Sequence, residues 1–308
     1  MQKELKKNTT FDHLFLNNNQ ISIDGLIIYT DNDQWKLDFN INVNNEENQI
    51  WSTLFNNTMD IAKKYASKEF NQGHKILQLN SNKIPNFDQI STKINKLTNW
   101  SLQPVAGFID EHIFFKLNSQ KKFPSTTLIR LSKKIIDKYN GIKITNTTGY
   151  TPEPDIFHDI FGHAPFLTNP QFCDFLADIG CLGIEIIKND RGYPLELVEH
   201  NIKRLQNFVW WSYEFGLLKK QTTTSSENDI DYEIYGAGIL SSENEIENIV
   251  NCAKKVSDHS KFLPFDIEEM ALTRFDYSTI QNRYFVADNM EHVYDTFNQN
   301  KDVFFYSN

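Results

Sequence analysis

The spacing of apolar residues along the chain is strand-like first and helical afterwards. ISIDGLIIYT and DQWKLDFNINV, near the start, alternate apolar and polar positions and predict two short strands. The block from Asn40 to Asn48, NINVNNEEN, is polar enough to be a linker or a loop. From Gln49 the period lengthens. Ile50, Trp51, Leu54, Phe55, Met59, Ala62 and Tyr65 recur at steps of three and four, the stripe of an amphipathic helix. A second such helix runs through Phe87, Ile90, Ile94 and Leu97 and ends near Trp100. The longest helix is predicted to start near Pro194, with Val198, Ile202, Leu205, Val209, Ser212 and Gly216 on one face. Ser242 with Glu245, and Asp266 with Glu269, have the spacing of capping boxes and mark two later helices. Between these lie short extended pieces at 126–131, 232–235 and 283–287. Asn140-Gly141, between Ile135, Ile136 and Tyr139 on one side and Ile142 and Ile144 on the other, predicts a type I′ hairpin; a helix end capped by Asn-Gly is the alternative. No internal repeat is present. The pattern predicts an N-terminal extension over 1–48, a short β element plus an Asn-rich linker, and then one mostly α-helical domain with small β elements over 49–308.

Composition narrows the class. The chain has 308 residues, enough to bury a sizeable core, and its 40% hydrophobic and 23% charged residues suit a globular protein. Of 34 Asn, 18 fall in the first hundred residues, which reinforces the break between the extension and the rest. A net charge of −9 argues against a surface that tracks nucleic-acid phosphates. No apolar run approaches the ~20 residues that span a bilayer, and MQKELKKNTT lacks the apolar stretch of a leader. Three cysteines, Cys173, Cys181 and Cys252, do not make a disulfide scaffold. The expectation is a soluble cytoplasmic protein that binds neither nucleic acid nor membrane.

Of eight histidines, only His158 and His163 fall within six residues of each other, in PDIFHDIFGH. In a regular helix five residues advance ~500°, so the two rings point ~140° apart unless the helix distorts or ends. Gly162, immediately before His163, permits such an ending. The pair fits a metal site, because neutral imidazole is a common ligand; it also fits two buried histidines that merely satisfy hydrogen bonds. The spacing is not that of a zinc-protease HExxH helix, and the residue after His158 is Asp159. A third ligand would be a carboxylate. Glu214 is the candidate, set in FVWWSYEFGL, where an unpaired charge would be costly; pairing with a lysine or exposure on a wet helix face is the alternative. Two neutral histidines and one carboxylate, with one face of the ion open, suit non-haem Fe(II) that binds dioxygen. Asp155, one turn before His158, is the candidate to accept the ring's other N–H and set its tautomer.

TPEPDIFHDIFGHAPF, WWSYEFGL and YGAGILSS, in this order, resemble the pterin-dependent aromatic amino acid hydroxylases, most closely the single-domain bacterial phenylalanine hydroxylases. QPVAGF, FFKLNSQKKFP followed by LIR, and FLPFDIEEM extend the resemblance, which is strong from about Trp100 to Phe297 and absent before Gln49. It implies a helical basket around a mononuclear iron. Residue by residue, it implies that His158, His163 and Glu214 bind Fe(II). Phe114 matches the aromatic residue that stacks on tetrahydrobiopterin or a related reduced pterin. Val105, Gly107 and Ile109 match backbone contacts to that pterin, and Asp159 matches an acidic position beside it. Arg130 matches the clamp for the substrate carboxylate, a role suited to a planar guanidinium fork. Thr151, Gly238 and Ser241 match positions around the substrate backbone, and Trp210, Phe123 and Pro154 match the walls of the ring pocket. The implied reaction uses dioxygen and the pterin to hydroxylate free phenylalanine to tyrosine.

Two departures from the family stand out. Residues 131–152 are longer than the family segment by about a dozen residues, and Tyr277 occupies a pocket-edge position that is usually smaller and aliphatic. Tryptophan or tyrosine as the ring substrate is the alternative within the class. A zinc-dependent hydrolase with the same ligands, or a silent ligand-binding relative, are alternatives outside it. No long helix follows Phe297 to pair chains, so a monomer is the expectation.

Overall fold

Strands β1 (Gln20–Ile23) and β2 (Leu26–Tyr29) pair antiparallel, and β2 lies parallel to β4 (Phe108–Ile109), with Ile28 opposite Phe108. This is a computed structural model, and it describes residues 20–23, 26–29, 35–134, 154–221, 230–277 and 279–307. Both early strands therefore come from ISIDGLIIYT. The segment DQWKLDFNINV, expected to be a strand, supplies only one bridge, Lys36 to Val105. Flanking it, the N–H of Leu37 donates to Pro104 O at 2.9 Å and that of Ala106 to Trp35 O at 2.8 Å. Trp35 packs there with Val105, Ile113 and Leu117 in a small satellite core.

Helix α1 (Asn45–Tyr65) begins four residues before the expected Gln49. Asn44 and Glu47 form a reciprocal capping box, so part of the polar block read as linker is the first turn of a helix. Its stripe buries Trp51, Phe55, Ala62 and Tyr65, as the spacing predicted. Helix α2 (Lys68–Leu77) follows. Helix α3 (Phe87–Thr98) is the second predicted helix, capped by Asn86 and ended by Asn99 in the left-handed region. Strands β3 (Ser101–Val105) and β5 (Lys122–Thr126) are parallel neighbours joined through helix α4 (Glu111–Ser119). The extended piece expected over 126–131 is displaced: the strand ends at Thr126, and Leu131 turns the chain with φ 66°.

Helix α5 (Pro170–Lys188), 19 residues long, was not legible as a stripe because its apolar residues surround most of its circumference; Asn169 caps it and proline sits in its first turn. It crosses α4 closely. A Cβ at Gly183 would lie 2.3 Å from the Phe115 ring, so only glycine admits that aromatic side chain. Helix α6 (Leu195–Val209) is shorter than predicted: α1, with 21 residues, is longer, and beyond Val209 the helix changes form. Strand β6 (Leu217–Lys219) joins β7 (Tyr232–Ile234), β8 (Phe262–Pro264) and β9 (Tyr284–Ala287) in a sheet of order β7-β6-β9-β8. Helices α7 (Ala237–Leu240), α8 (Glu243–Ala253), α9 (Ile267–Leu272) and α10 (Met290–Gln299) lie in the C-terminal part of the chain. Ser242 and Asp266 cap α8 and α9 as expected, but neither is a reciprocal box. The carboxylate of Glu245 turns away from Ser242 to accept from Gln281 N at 2.9 Å and Tyr284 OH at 2.8 Å. The predicted Asn140-Gly141 hairpin lies outside the described residues.

Candidate metal centre

After Ile156 and Phe157 the chain widens into a π-helical turn, His158–His163, closed by Ala164 N donating to Asp159 O at 3.0 Å. A hydrogen bond spanning five residues brings residue i+5 back over residue i, which resolves the spacing problem of the two histidines. Their rings meet edge to face, with Nε2 atoms 2.9 Å apart. The turn does not end at Gly162, as the sequence suggested. Gly162 instead lets α7 approach, since a Cβ there would lie 2.8 Å from Ala237 O.

Glu214 comes from a second π-helical turn, Trp210–Glu214, closed by Phe215 N on Trp210 O at 2.9 Å. Its carboxylate reaches His163 Nε2 at 3.1 Å and His158 Nε2 at 3.4 Å. All three sequence-predicted ligands thus converge, their donor atoms within 4.8 Å of one another. Burial pushes His158 down to about 4, against the pull of Glu214, so the ring is neutral near pH 7. Burial pushes Glu214 up, but the two imidazoles and a bond from the Gly238 N–H outweigh it and hold the carboxyl below its ordinary value. Two imidazole nitrogens and a carboxylate facing one point fit a divalent cation.

The tautomer of His158 is fixed by Ser241, not by Asp155 as the sequence suggested. Ser241 Oγ donates to Ala237 O at 2.9 Å and so accepts from His158 Nδ1, also at 2.9 Å. That leaves the Nε2 lone pair directed at the centre. Asp155 is buried and committed elsewhere. It accepts the His158 backbone N–H at 2.9 Å, the Arg130 backbone N–H at 2.7 Å, and Arg130 Nε and Nη2 at 2.9 and 2.8 Å. Burial alone would raise its pKa, but the guanidinium holds it below the usual carboxylate range. Arg130 is 3% exposed, and Nη1 donates to Ser241 O at 3.3 Å. One edge of the predicted clamp therefore already holds a carboxylate of the protein itself.

His158, His163 and Glu214 line a cavity of about 300 Å³. Val105, Gly107, Ile109 and Phe114 line it, as do Asp159 and Arg130. Phe123, Pro154, Trp210, Gly238 and Ser241 line it as well; Thr151 lies outside the described residues. On α4, the ring of Phe115 is buried against Gly183, whereas Phe114 is only half-buried. Trp210 is held in a triple stack, 4.2 Å from Phe275 and 4.7 Å from Phe215 between ring centroids. Burial raises the carboxyl of Asp159 well above its usual value, although the Thr126 N–H and hydroxyl donate to it at 2.6 and 3.1 Å. Tyr277, read as a pocket-edge residue, is 38% exposed and lines the same cavity.

Several participants were not found from the sequence. Phe215 and Phe275 stiffen Trp210, Thr126 binds Asp159, and His74 on α2 supports the first π-turn through Phe161 O. Pro165, four residues after Phe161, was the one local signal that this carbonyl lacks a helical donor. Its partner is 87 residues away and has no local signature.

The sequence profile of the biopterin-dependent aromatic amino acid hydroxylases matches residues 34–303. Phenylalanine-4-hydroxylase of Pseudomonas aeruginosa is 30% identical over 248 residues, 80% of each chain. That of Chromobacterium violaceum is 29% identical over 250 residues, 81% of this chain and 72% of the relative. The crystal structure of the Chromobacterium violaceum enzyme with iron(III) and 7,8-dihydrobiopterin superposes with a TM-score of 0.71 at 27% identity, over 89% of this chain and 87% of that one. Its iron- and phenylalanine-bound structure gives 0.69 at 26% identity, over 89% and 87%.

Proposed function

The chain belongs to the biopterin-dependent aromatic amino acid hydroxylases, and from that premise we propose that it is a phenylalanine 4-monooxygenase using Fe(II), a reduced pterin and dioxygen. The observation that carries the reading is the convergence of His158, His163 and Glu214 from two π-helical turns, with Ser241 fixing the His158 tautomer. Among the described residues no helix is long and apolar enough to cross a membrane.

His158, His163 and Glu214 would hold the iron, leaving the side toward the cavity for other ligands. Iron held in this way supplies the binding and activation of dioxygen. The remaining work falls to the chain's own side chains. Trp210, fixed between Phe215 and Phe275, offers a rigid edge to the substrate ring, with Phe123 and Pro154 nearby on the cavity wall. Holding the ring in one orientation removes rotational freedom before the reaction. Arg130, anchored by Asp155, supplies the positive charge for the α-carboxylate of the amino acid. Phe114 provides a stacking face for the pterin. The apolar lining excludes water from the reacting atoms.

The test is direct. Protein loaded with Fe(II) without air, then given tetrahydrobiopterin, oxygen and each of the three aromatic amino acids, should convert phenylalanine to tyrosine, read by product mass. Preferential oxygen insertion into tryptophan or tyrosine would reassign the substrate. Absence of any hydroxylated product from fully iron-loaded protein would overturn the reading.

A further inference from the structure

Two polar residues that line this cavity meet each other, and the iron site, the carboxylate clamp and the ring wall use neither. Glu111 and Phe114 are three apart on α4, and both line the cavity. Gln206 on α6 is one turn before Trp210 and lines it too. At these spacings each polar side chain shares a helix face with an aromatic wall residue. The two helices are tied there: Gln206 Nε2 donates to Glu111 Oε1 at 2.5 Å. Among the described residues, Glu111 Oε2 and Gln206 Oε1 accept no hydrogen bond, so the pair keeps two acceptors and one negative charge. Arg130 contributes the opposite charge to the same cavity. An amino acid's carboxylate is drawn to Arg130 and repelled by Glu111. A ligand with an edge of N–H donors has the reverse preference.

The reduced pterin has such an edge, in the 2-amino group and the neighbouring ring N–H of its pyrimidine. Adjacent donors on a planar ring suit a carboxylate as a charge-assisted partner. We propose that Glu111, oriented by Gln206, accepts hydrogen bonds from the aminopyrimidine edge of the pterin while Phe114 stacks on its ring. This rests on the pterin reading above and deepens it: Glu111 is a cofactor-binding residue, and Gln206 positions it.

The test is a binding titration without turnover. 7,8-Dihydrobiopterin and its 2-dimethylamino analogue, which lacks the exocyclic donors, are titrated into iron-loaded wild-type protein and into the Glu111→Gln and Gln206→Leu variants, with phenylalanine binding measured in parallel. Loss of a charge-assisted acceptor should weaken dihydrobiopterin binding about ten-fold or more in Glu111→Gln. Gln206→Leu should show a smaller loss, and phenylalanine affinity should hold in both variants, which also reports an intact fold. The analogue keeps the ring N–H but not the exocyclic donors, so it should lose less affinity between wild type and Glu111→Gln than dihydrobiopterin does. Equal affinity of wild type and Glu111→Gln for dihydrobiopterin, with phenylalanine binding preserved, would overturn the inference alone and leave the pair as a tie between two helices. Failure of wild type to bind dihydrobiopterin at all would overturn the pterin reading and this inference together.

Discussion

His74 Nε2 lies 2.9 Å from the carbonyl oxygen of Phe161, inside the turn that carries His158 and His163. The helical donor for that oxygen would be residue 165, a proline without an N–H. His74 supplies the missing donor from a helix far away in sequence, and its ring packs 4.4 Å from Phe70 and 4.7 Å from Phe161.

Replacing His74 by leucine should leave a buried carbonyl unpaired at a cost of roughly 1–3 kcal/mol. It should also weaken iron retention, because the turn loses the contact that fixes its width. Denaturant unfolding and chelator challenge measure the two effects. Burial lowers the His74 pKa from 6.5 to about 4, so the unfolded chain binds a proton first. The stability this ring contributes is present above pH 6.5 and is lost as the pH falls toward 4.

Ser241→Ala removes the acceptor that sets the His158 tautomer. Iron affinity should fall about 10–100-fold, the usual effect of losing a partner behind a ligand. Competition with a calibrated chelator measures it, and an unchanged affinity would mean that the serine bond does not orient the ring.

Arg130→Lys tests two roles at once. Lysine cannot reproduce the two-pronged bond to Asp155, which is itself fully buried. Disrupting such a pair can cost up to roughly 3–5 kcal/mol, so thermal stability should fall together with phenylalanine binding. The Michaelis constant for phenylalanine should rise much more than that for the pterin. Equal effects on both would argue against a role for Arg130 in amino-acid recognition.

Glu245 predicts a pH dependence of the opposite sign to that of His74. Burial raises its carboxyl from 4.5 to about 7, against the bonds from Gln281 and Tyr284. The stability from this group is therefore fully present below pH 4.5 and is lost as the pH rises through 7, by about 3 kcal/mol at most. Glu245→Gln should flatten that part of the stability profile and raise stability at the alkaline end, relative to wild type in the same buffers. Urea unfolding across the window gives the difference; an identical slope in both proteins would remove Glu245 as its source.

The meeting of His158, His163 and Glu214 was legible because two histidines and an acid in strongly apolar surroundings have few other uses, and because the motifs around them carried a family resemblance. Long-range relationships were not legible. Asp155 looked like the partner of the His158 ring because it sits a turn away, yet it meets the fork of Arg130, and Ser241, 83 residues on, takes the ring. Helix α5 escaped notice because Ala177, Cys181, Ile184 and Ile187 carry apolar residues past its buried face and blur the stripe. The widening at 158–163 and 210–214 has no local sequence rule. It follows from tertiary contacts such as those of His74 and Gly162.

That widening makes residue count, as well as residue identity, a determinant of the site. Each ligand turn holds one residue more than the same length of regular helix would need. Deleting one residue within 158–163 or 210–214 would let the backbone relax to the commoner helical register while swinging the following ligand by about 100° around the axis. Shortening either turn by a single position would take one of the three donors off their common point.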